Sequence, residues 1–534
     1  MLQTPQGRAQ LGHVLVIAFV LLLGWWQRTA FVLHIHPPEN TASYSDMAEY
    51  ASKAGNIAQG RGPAGGFAPS FKPIGYYWLL ALSFLMPRWH VLAGPFALIT
   101  WINLLGSFLI PIFLWRGCRR WLGQHTAAIV LIVAMFDFSL LGYAGFLLAE
   151  LPFALLLAAM VSCLLVFRFP WKPPEAALLG AIWGVSVLIK GQSLLFAPFG
   201  ILATIPLLRS VGTQLRSWRA ITVSWSVFLA VGLALLFGQS AYLSYHAGQF
   251  VPLPTVSGVN FLASKMPECR MIYTADGSWV CSPMHHQLDG CTTEKACWIN
   301  SPLDNGPLFF RTAIEAIVRQ PVRLFEGMRN FLFLFAGNEA FPIRDEADFR
   351  QLNRFSEFFF ALFLLPGLWV ALIKGLAKRM PTRVRMLIAL AWTGLFPYLF
   401  LSEAEIRYRI PFDVVLFPLA IWGWSSVIRR LREVRYLLPK NIFTCFWILL
   451  LAPWMTYTLY SVMRNRGPLS PSTLVPLVLA LTAIALRLGI LVAELMDREF
   501  RAFWRKAPPA ETRGRRRLPA TGKRISSRAL RRVG

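Results

Sequence analysis

The sequence predicts an all-α polytopic membrane protein: a transmembrane helical bundle with external juxtamembrane helices and one large external loop. Three observations carry this. Of 534 residues, 56% are hydrophobic and only 15% are charged, against about 25% charged in soluble domains. Apolar runs of roughly 18 residues or more, each long enough to cross a bilayer's hydrocarbon, recur along the whole chain. The basic residues concentrate in short links between those runs and in the tail, the distribution that marks cytoplasmic loops.

The net charge of +27 would point to nucleic acid in a soluble chain. Here RGCRR (116–120), KGLAKRMPTRVR (374–385), RRLREVR (429–435) and the Arg-crowded tail hold much of that charge. Their natural partner is the anionic leaflet. The bilayer is therefore the expected partner, and no nucleic acid is expected.

In chain order, the first apolar run, LGHVLVIAFVLLLGWW from Leu11, continues without a small-residue cleavage site. It reads as an uncleaved span with a cytoplasmic N-terminus. Twelve spans follow from hydropathy: 11–33, 94–115, 125–143, 150–168, 175–190, 192–208, 220–243, 355–373, 386–402, 411–428, 441–462 and 473–495. That scheme places every strongly basic short link on one side and puts 34–93 and 244–354 outside. Four units result: an N-terminal module 1–243 with its first external loop at 34–93, an external segment 244–354, a C-terminal module 355–495, and a basic cytoplasmic tail 496–534.

The external segment carries Cys269, Cys281, Cys291 and Cys297. In a translocated loop they suggest two disulfides in one of three pairings. The alternative is a zinc site using His285 and His286, although the spacings lack the close pairs of zinc modules. Beyond them, 307–335 has apolar positions at helical spacing with Arg between, as in helices lying on a membrane surface.

Ionisable residues distant in sequence converge on the external face in this topology. Asp46 and Glu49 stand one helical turn apart just outside the first span, and Lys72 lies in FKPIGYYW. Glu150 opens the fourth span, Lys190 sits at the outer turn after the fifth, and SEAEIRYRIPFD supplies Glu403, Glu405, Arg407, Tyr408, Arg409 and Asp413. Taken singly, each has a plain structural reading as a helix cap, a dipole partner or a snorkelling anchor. Gathered at bilayer depth they mark a site. Arg and Lys there suit an anionic phosphate, and a carboxylate suits proton abstraction or a divalent metal.

The motifs resemble those of the GT-C polyprenyl-phosphate-sugar glycosyltransferases, the superfamily of protein O-mannosyltransferases and the lipid A aminoarabinose transferase. The resemblance rests on SDMAEYASKAGNIAQG with FKPIGYYW, LLAELPFALL, GVSVLIKGQSLLFAP and EIRYRIPFDVVLFPL, in that order over residues 11 to 430. Ile74 stands where the family's K-P-P has its second proline, and Ile189 where its T-K-G turn has threonine. The resemblance implies a GT-C-like bundle in a bacterial inner membrane with a periplasmic active site. It implies inverting transfer of a sugar from a polyprenyl-phosphate donor to a lipid, glycan or protein acceptor.

Asp46 is then implied as catalytic base, with Glu150 as a second acidic residue positioning substrate or a metal. Lys72, Lys190 and Arg407, with Tyr408 and Arg409 beside it, are implied in holding the donor phosphate. Glu49 and Tyr76 are further candidates. A divalent metal on Asp46 and Glu150 is left open as a cofactor. No P-loop, dinucleotide fingerprint or G-x-S-x-G elbow occurs. The rival reading is a transporter or flippase for a lipid-linked or anionic substrate, which would place its charges near the midplane at repeat interfaces.

Overall fold

The computed structural model describes residues 5–433 except Tyr44, 64–71, 86–94, 211–214, Thr255, 266–268, 274–278, 284–301, 326–333, 335–352, Arg354, 378–379 and 401–405. Residues 1–468 make one compact unit. The second unit, 469–534, lies wholly outside the described residues, as do the spans expected at 441–462 and 473–495 and the basic tail.

Helix α1 (Pro5–Ala30) runs into a π-turn at Phe31–Ile35. Its Leu15, Phe19, Leu22 and Trp26 are exposed at helical spacing, an apolar stripe suited to lipid. After a short 3₁₀ turn (Pro38–Thr41) come α2 (Ser45–Ala58) and α3 (Gly75–Leu85), which pack on each other. Then follow α4 (Ala97–Leu122), α5 (Gln124–Met135), α6 (Phe138–Tyr143), α7 (Glu150–Val166) and α8 (Pro173–Ile189). A 3₁₀ turn (Gly191–Leu195) leads to α9 (Phe196–Ser210) and α10 (Leu215–Ala247).

Residues 244–354 contribute α11 (Val256–Lys265), strands β1 (Cys269–Tyr273) and β2 (Trp279–Pro283), and α12 (Pro302–Arg319). A π-turn (Phe360–Leu364) precedes α13 (Leu365–Ala377), followed by α14 (Thr382–Phe400) and α15 (Ile406–Glu433).

Helix dominates as expected. The departure is the antiparallel hairpin β1–β2, in which Met271 pairs with Cys281 and Ile272 with Val280. Residues such as Val280, Trp279, Ile272 and Tyr273 favour that pleated surface. The disulfide expectation lies outside the described residues, since Cys291, Cys297 and the side chains of Cys269 and Cys281 are not among them.

Among the described residues, five helices are long and apolar enough to cross a membrane: Leu11–Ile35, Ala97–Leu122, Trp218–Ala247, Phe355–Leu372 and Ile406–Val427. The span expected at 125–143 is two helices. Asp137 interrupts it, its carboxylate accepting the Leu140 backbone N–H as the N-cap of α6.

One buried apolar core joins the N-terminal helices to α13, α14 and α15. Within it, α4 packs on α5 and α7, α8 on α10, α9 on α14, and α15 on α7 and α13. Gly75, at the start of α3, allows a close approach to α8: a Cβ there would lie 2.6 Å from the Leu188 carbonyl oxygen. Two further contacts tie the segment before α2 to the turn before α7. His36 Nδ1 lies 2.7 Å from the Gly145 carbonyl oxygen, and the Leu147 N–H donates to Thr41 Oγ1. The elements carrying Asp46, Lys72, Glu150 and Lys190 are thereby held on a common scaffold.

Candidate active site

Helix α2 presents Asp46, Glu49, Tyr50 and Lys53 at i, i+3, i+4 and i+7, the spacing of a single helical face. The segment entering α3 brings Lys72 between the two carboxylates. Lys72 Nζ donates to Glu49 Oε2 at 2.7 Å and to Asp46 Oδ1 at 3.1 Å. From the first turn of α15, Arg407 Nη1 donates to Asp46 Oδ2 at 3.2 Å. Asp46 thus has a cation on each oxygen, contributed by segments 26 and 361 residues away.

The two acids differ in their surroundings. Asp46 keeps 31% of its side chain exposed and Glu49 only 8%. Glu49 Oε1 also accepts from the Tyr77 hydroxyl at 2.9 Å and pairs with the fully buried Lys53 at 3.1 Å. Aromatic faces line the cations: Lys72 sits 4.8 Å from the Tyr50 ring centroid and Lys53 5.2 Å from that of Tyr77. Tyr50 also meets Tyr76 edge to face at 4.8 Å. Tyr76 is buried, and its hydroxyl makes no hydrogen bond among the described residues.

A second pair adjoins the first. Glu150, buried in the first turn of α7, accepts from Lys190 Nζ at 2.8 Å, where Lys190 caps the C-terminus of α8. Tyr408 links the two sets. Its hydroxyl lies 2.9 Å from Arg407 Nη2, its ring centroid lies 5.6 Å from Lys190 Nζ, and it stacks on Tyr398. Tyr398 in turn donates to Gln192 Oε1 at 2.6 Å.

Burial pushes the Asp46 carboxyl upward, but the charges and hydrogen bonds of Lys72 and Arg407 outweigh it and hold it below 3.8. Burial depresses Lys72, and Asp46 with Glu49 more than reverses that, raising it above 10.5. Lys53 goes the other way, because burial outweighs the help of Glu49. Tyr50 is pushed well above 10 by burial and by Asp46, Glu150 and Glu49, so it remains a phenol.

Of the residues singled out in the sequence, Asp46, Glu49, Lys72 and Arg407 form one connected cluster, with Glu150, Lys190 and Tyr408 beside it. Arg409 stands apart. It is buried against Glu357 (2.8 and 2.9 Å), Asp413 (3.0 Å) and the Leu334 carbonyl oxygen (2.9 Å), with the Phe360 ring centroid 3.7 Å away. Its donors serve that buried network, to which Ser139 adds a hydrogen bond to Glu357. Glu403 and Glu405 lie outside the described residues.

Sequence reasoning passed over Tyr50, Lys53, Tyr77, Gln192 and Tyr398. Helical spacing from Asp46 could have flagged the first two, and nothing local marks the others.

Among the described residues no group of three or more His, Cys, Asp or Glu could hold a metal ion. Asp46 carries a cation on each oxygen and Glu150 carries Lys190, so a divalent metal on these two carboxylates would have to displace those ion pairs.

No protein family matches the chain, and no curated protein does. Among solved structures the chain is similar to ArnT from Cupriavidus metallidurans bound to undecaprenyl phosphate, at 14% identity and TM-score 0.42, covering 91% of this chain and 77% of that one. It is also similar to the Archaeoglobus fulgidus oligosaccharyltransferase in complex with Zn and sulfate, at 13% identity and TM-score 0.41, covering 82% of this chain and 53% of that one. The apo form of the same oligosaccharyltransferase gives 14% identity and TM-score 0.44, covering 83% of this chain and 55% of that one. The chain therefore spans about half the length of the oligosaccharyltransferase chains it resembles.

Proposed function

We propose that the chain is a membrane glycosyltransferase. It moves a sugar from a polyprenyl-phosphate-linked donor to an acceptor hydroxyl at the external, periplasmic face of a bacterial inner membrane. The observation that carries this reading is Asp46, a partly exposed carboxylate lodged between Lys72 and Arg407. An inverting displacement needs a base on the acceptor's face of the anomeric carbon and cations on the opposite, phosphate face, and a carboxylate beside two cations supplies both kinds of group. The base faces the incoming hydroxyl and the cations face the departing charge.

In that step the acceptor oxygen bonds to the anomeric carbon while its proton passes to Asp46. The bond from the anomeric carbon to the phosphate oxygen breaks, and its electron pair leaves on the polyprenyl phosphate. Lys72 and Arg407 receive that charge, Arg407 by forked hydrogen bonds, and Lys190 and Tyr408 extend the cationic wall. Glu150 orients Lys190 through their ion pair. Because phosphate is a good leaving group, general-base help of about 10²–10⁴-fold, with positioning, is sufficient. No step runs through a metal. Arg409 is assigned to the fold and not to the phosphate, because its donors face Glu357, Asp413 and Leu334.

The test uses Asp46→Asn in purified protein supplied with polyprenyl-phospho-sugars extracted from the host membrane. Transfer should fall by about 10²–10⁴-fold, while affinity for undecaprenyl phosphate, the lipid bound in the ArnT structure, holds or tightens. Transfer at the wild-type rate would end the base assignment. Wild-type protein that carries labelled lipid across vesicles without forming a glycosidic bond would overturn the enzyme reading in favour of transport.

A further inference from the structure

Two carboxylates on one helix face share a single lysine, and their environments differ. Lys72 lies closer to Glu49 (2.7 Å) than to Asp46 (3.1 Å). Glu49 is in turn braced from behind by Lys53 and the Tyr77 hydroxyl, two groups the transfer step does not use. Paired titratable groups set in unlike surroundings take unlike roles.

We propose that Glu49 is a positioning residue that holds Lys72 partly off Asp46, so that Asp46 loses less basicity than it would if Lys72 paired with it alone. The proposal rests on Asp46 being the base. Both cations facing Asp46, Lys72 from the approach to α3 and Arg407 from α15, lower its proton affinity. Tyr77 faces it from α3, and Glu49 and Tyr50 share its own helix; Glu150 also acts on Tyr50. Glu49 is the acid that competes with Asp46 for Lys72.

With a neutral Gln at position 49, Lys72 has Asp46 as its remaining acidic partner of the two. Asp46 then pairs more closely and becomes a weaker base. Lys53 explains why Glu49 does not take Lys72 outright: it draws on the same carboxylate, so the position of Lys72 is set by the balance between them. This also accounts for a fully buried lysine on α2, which would otherwise cost stability without an evident return.

Carbodiimide labelling of carboxyl groups, read by peptide mass spectrometry on the full-length protein in detergent, tests this without substrate. The carboxyl group gives its proton to the carbodiimide nitrogen and its oxygen adds to the central carbon, so at fixed pH the labelling rate of Asp46 follows its protonated fraction. In Glu49→Gln that rate is expected to fall about three- to tenfold at about pH 6. Undecaprenyl phosphate affinity should stay within about threefold of wild type, whereas Lys72→Ala loses about tenfold or more. Lys53→Met frees Glu49 to hold Lys72 more tightly, so Asp46 labelling should rise.

An unchanged or faster Asp46 rate in Glu49→Gln overturns the proposal. So does a loss of undecaprenyl phosphate binding equal to that of Lys72→Ala, which would make Glu49 a mere support for Lys72. Should Glu49→Gln not fold, Lys53→Met decides alone, and no rise in labelling refutes the role. The parent reading fails separately: Asp46→Asn that transfers sugar at the wild-type rate removes the base whatever the labelling shows. An inactive Asp46→Asn with unaltered labelling in Glu49→Gln removes the role of Glu49 alone.

Discussion

Arg407 and Arg409 lie two residues apart on α15, yet they face different worlds. Arg409 is 1% exposed and meets Glu357 with two hydrogen bonds, Asp413 with two more and the Leu334 carbonyl oxygen. Arg407 keeps 15% of its side chain exposed and touches Asp46 and Tyr408. The first arginine is enclosed by fixed acceptors that leave its charge balanced within the fold. The second shares a half-open carboxylate, which in the proposed reaction gives way to the donor phosphate. Identical side chains on one helix thus divide into scaffold and candidate site according to how enclosed their partners are.

Stability measurements can break that comparison. Removing Arg409 by Arg409→Ala leaves Glu357 and Asp413 buried without their cation, a loss of about 3–5 kcal/mol that should appear as poor yield or a much lower melting temperature in detergent. Arg407→Ala should cost no more than about 1 kcal/mol, as partly exposed pairs do, yet abolish most undecaprenyl phosphate binding. If the two variants melt alike, or if Arg409→Ala folds and loses only phosphate binding, the division is wrong.

The Glu150–Lys190 pair falls between these extremes and sharpens the comparison. Lys190→Ala strands the buried Glu150 carboxylate, at a cost of about 1–3 kcal/mol, and adding Glu150→Gln should recover much of that stability. The double variant should not recover undecaprenyl phosphate affinity if Lys190 also faces the phosphate. Recovery of both would make the pair purely structural.

Much of this was legible in the sequence, for reasons that differ by residue. Asp46, Lys72, Glu150, Lys190 and Arg407 could be found because charge is costly at bilayer depth and topology sorts it to one face. The same rule flagged Arg409, but hydropathy cannot say which way a side chain turns from its helix. The partner of Arg409 that decides the matter, Glu357, lies 52 residues away. The break at Asp137 was hidden because 125–143 is apolar on both sides of it, so the run reads as one span. Lys53 and Tyr77 are legible only once α2 and α3 are packed together, which no local pattern specifies.

Acid should separate the half-open cluster from the buried one by the smallest of these margins. Asp46 in the folded protein is held below its ordinary 3.8 by Lys72 and Arg407, so the unfolded chain takes up the proton first as pH falls. The stabilisation from this group is therefore complete above its unfolded pKa and is lost as pH drops through the lower folded value. For a carboxylate this exposed the loss is about 0.5–1 kcal/mol. Thermal melts from about pH 5 down to about pH 3 should show wild type losing slightly more stability than Asp46→Asn, which has no carboxyl to protonate at that position. Parallel curves for the two proteins would mean that Lys72 and Arg407 are not held by Asp46 in the substrate-free state, and would remove the exchangeable partner on which the contrast with Arg409 depends.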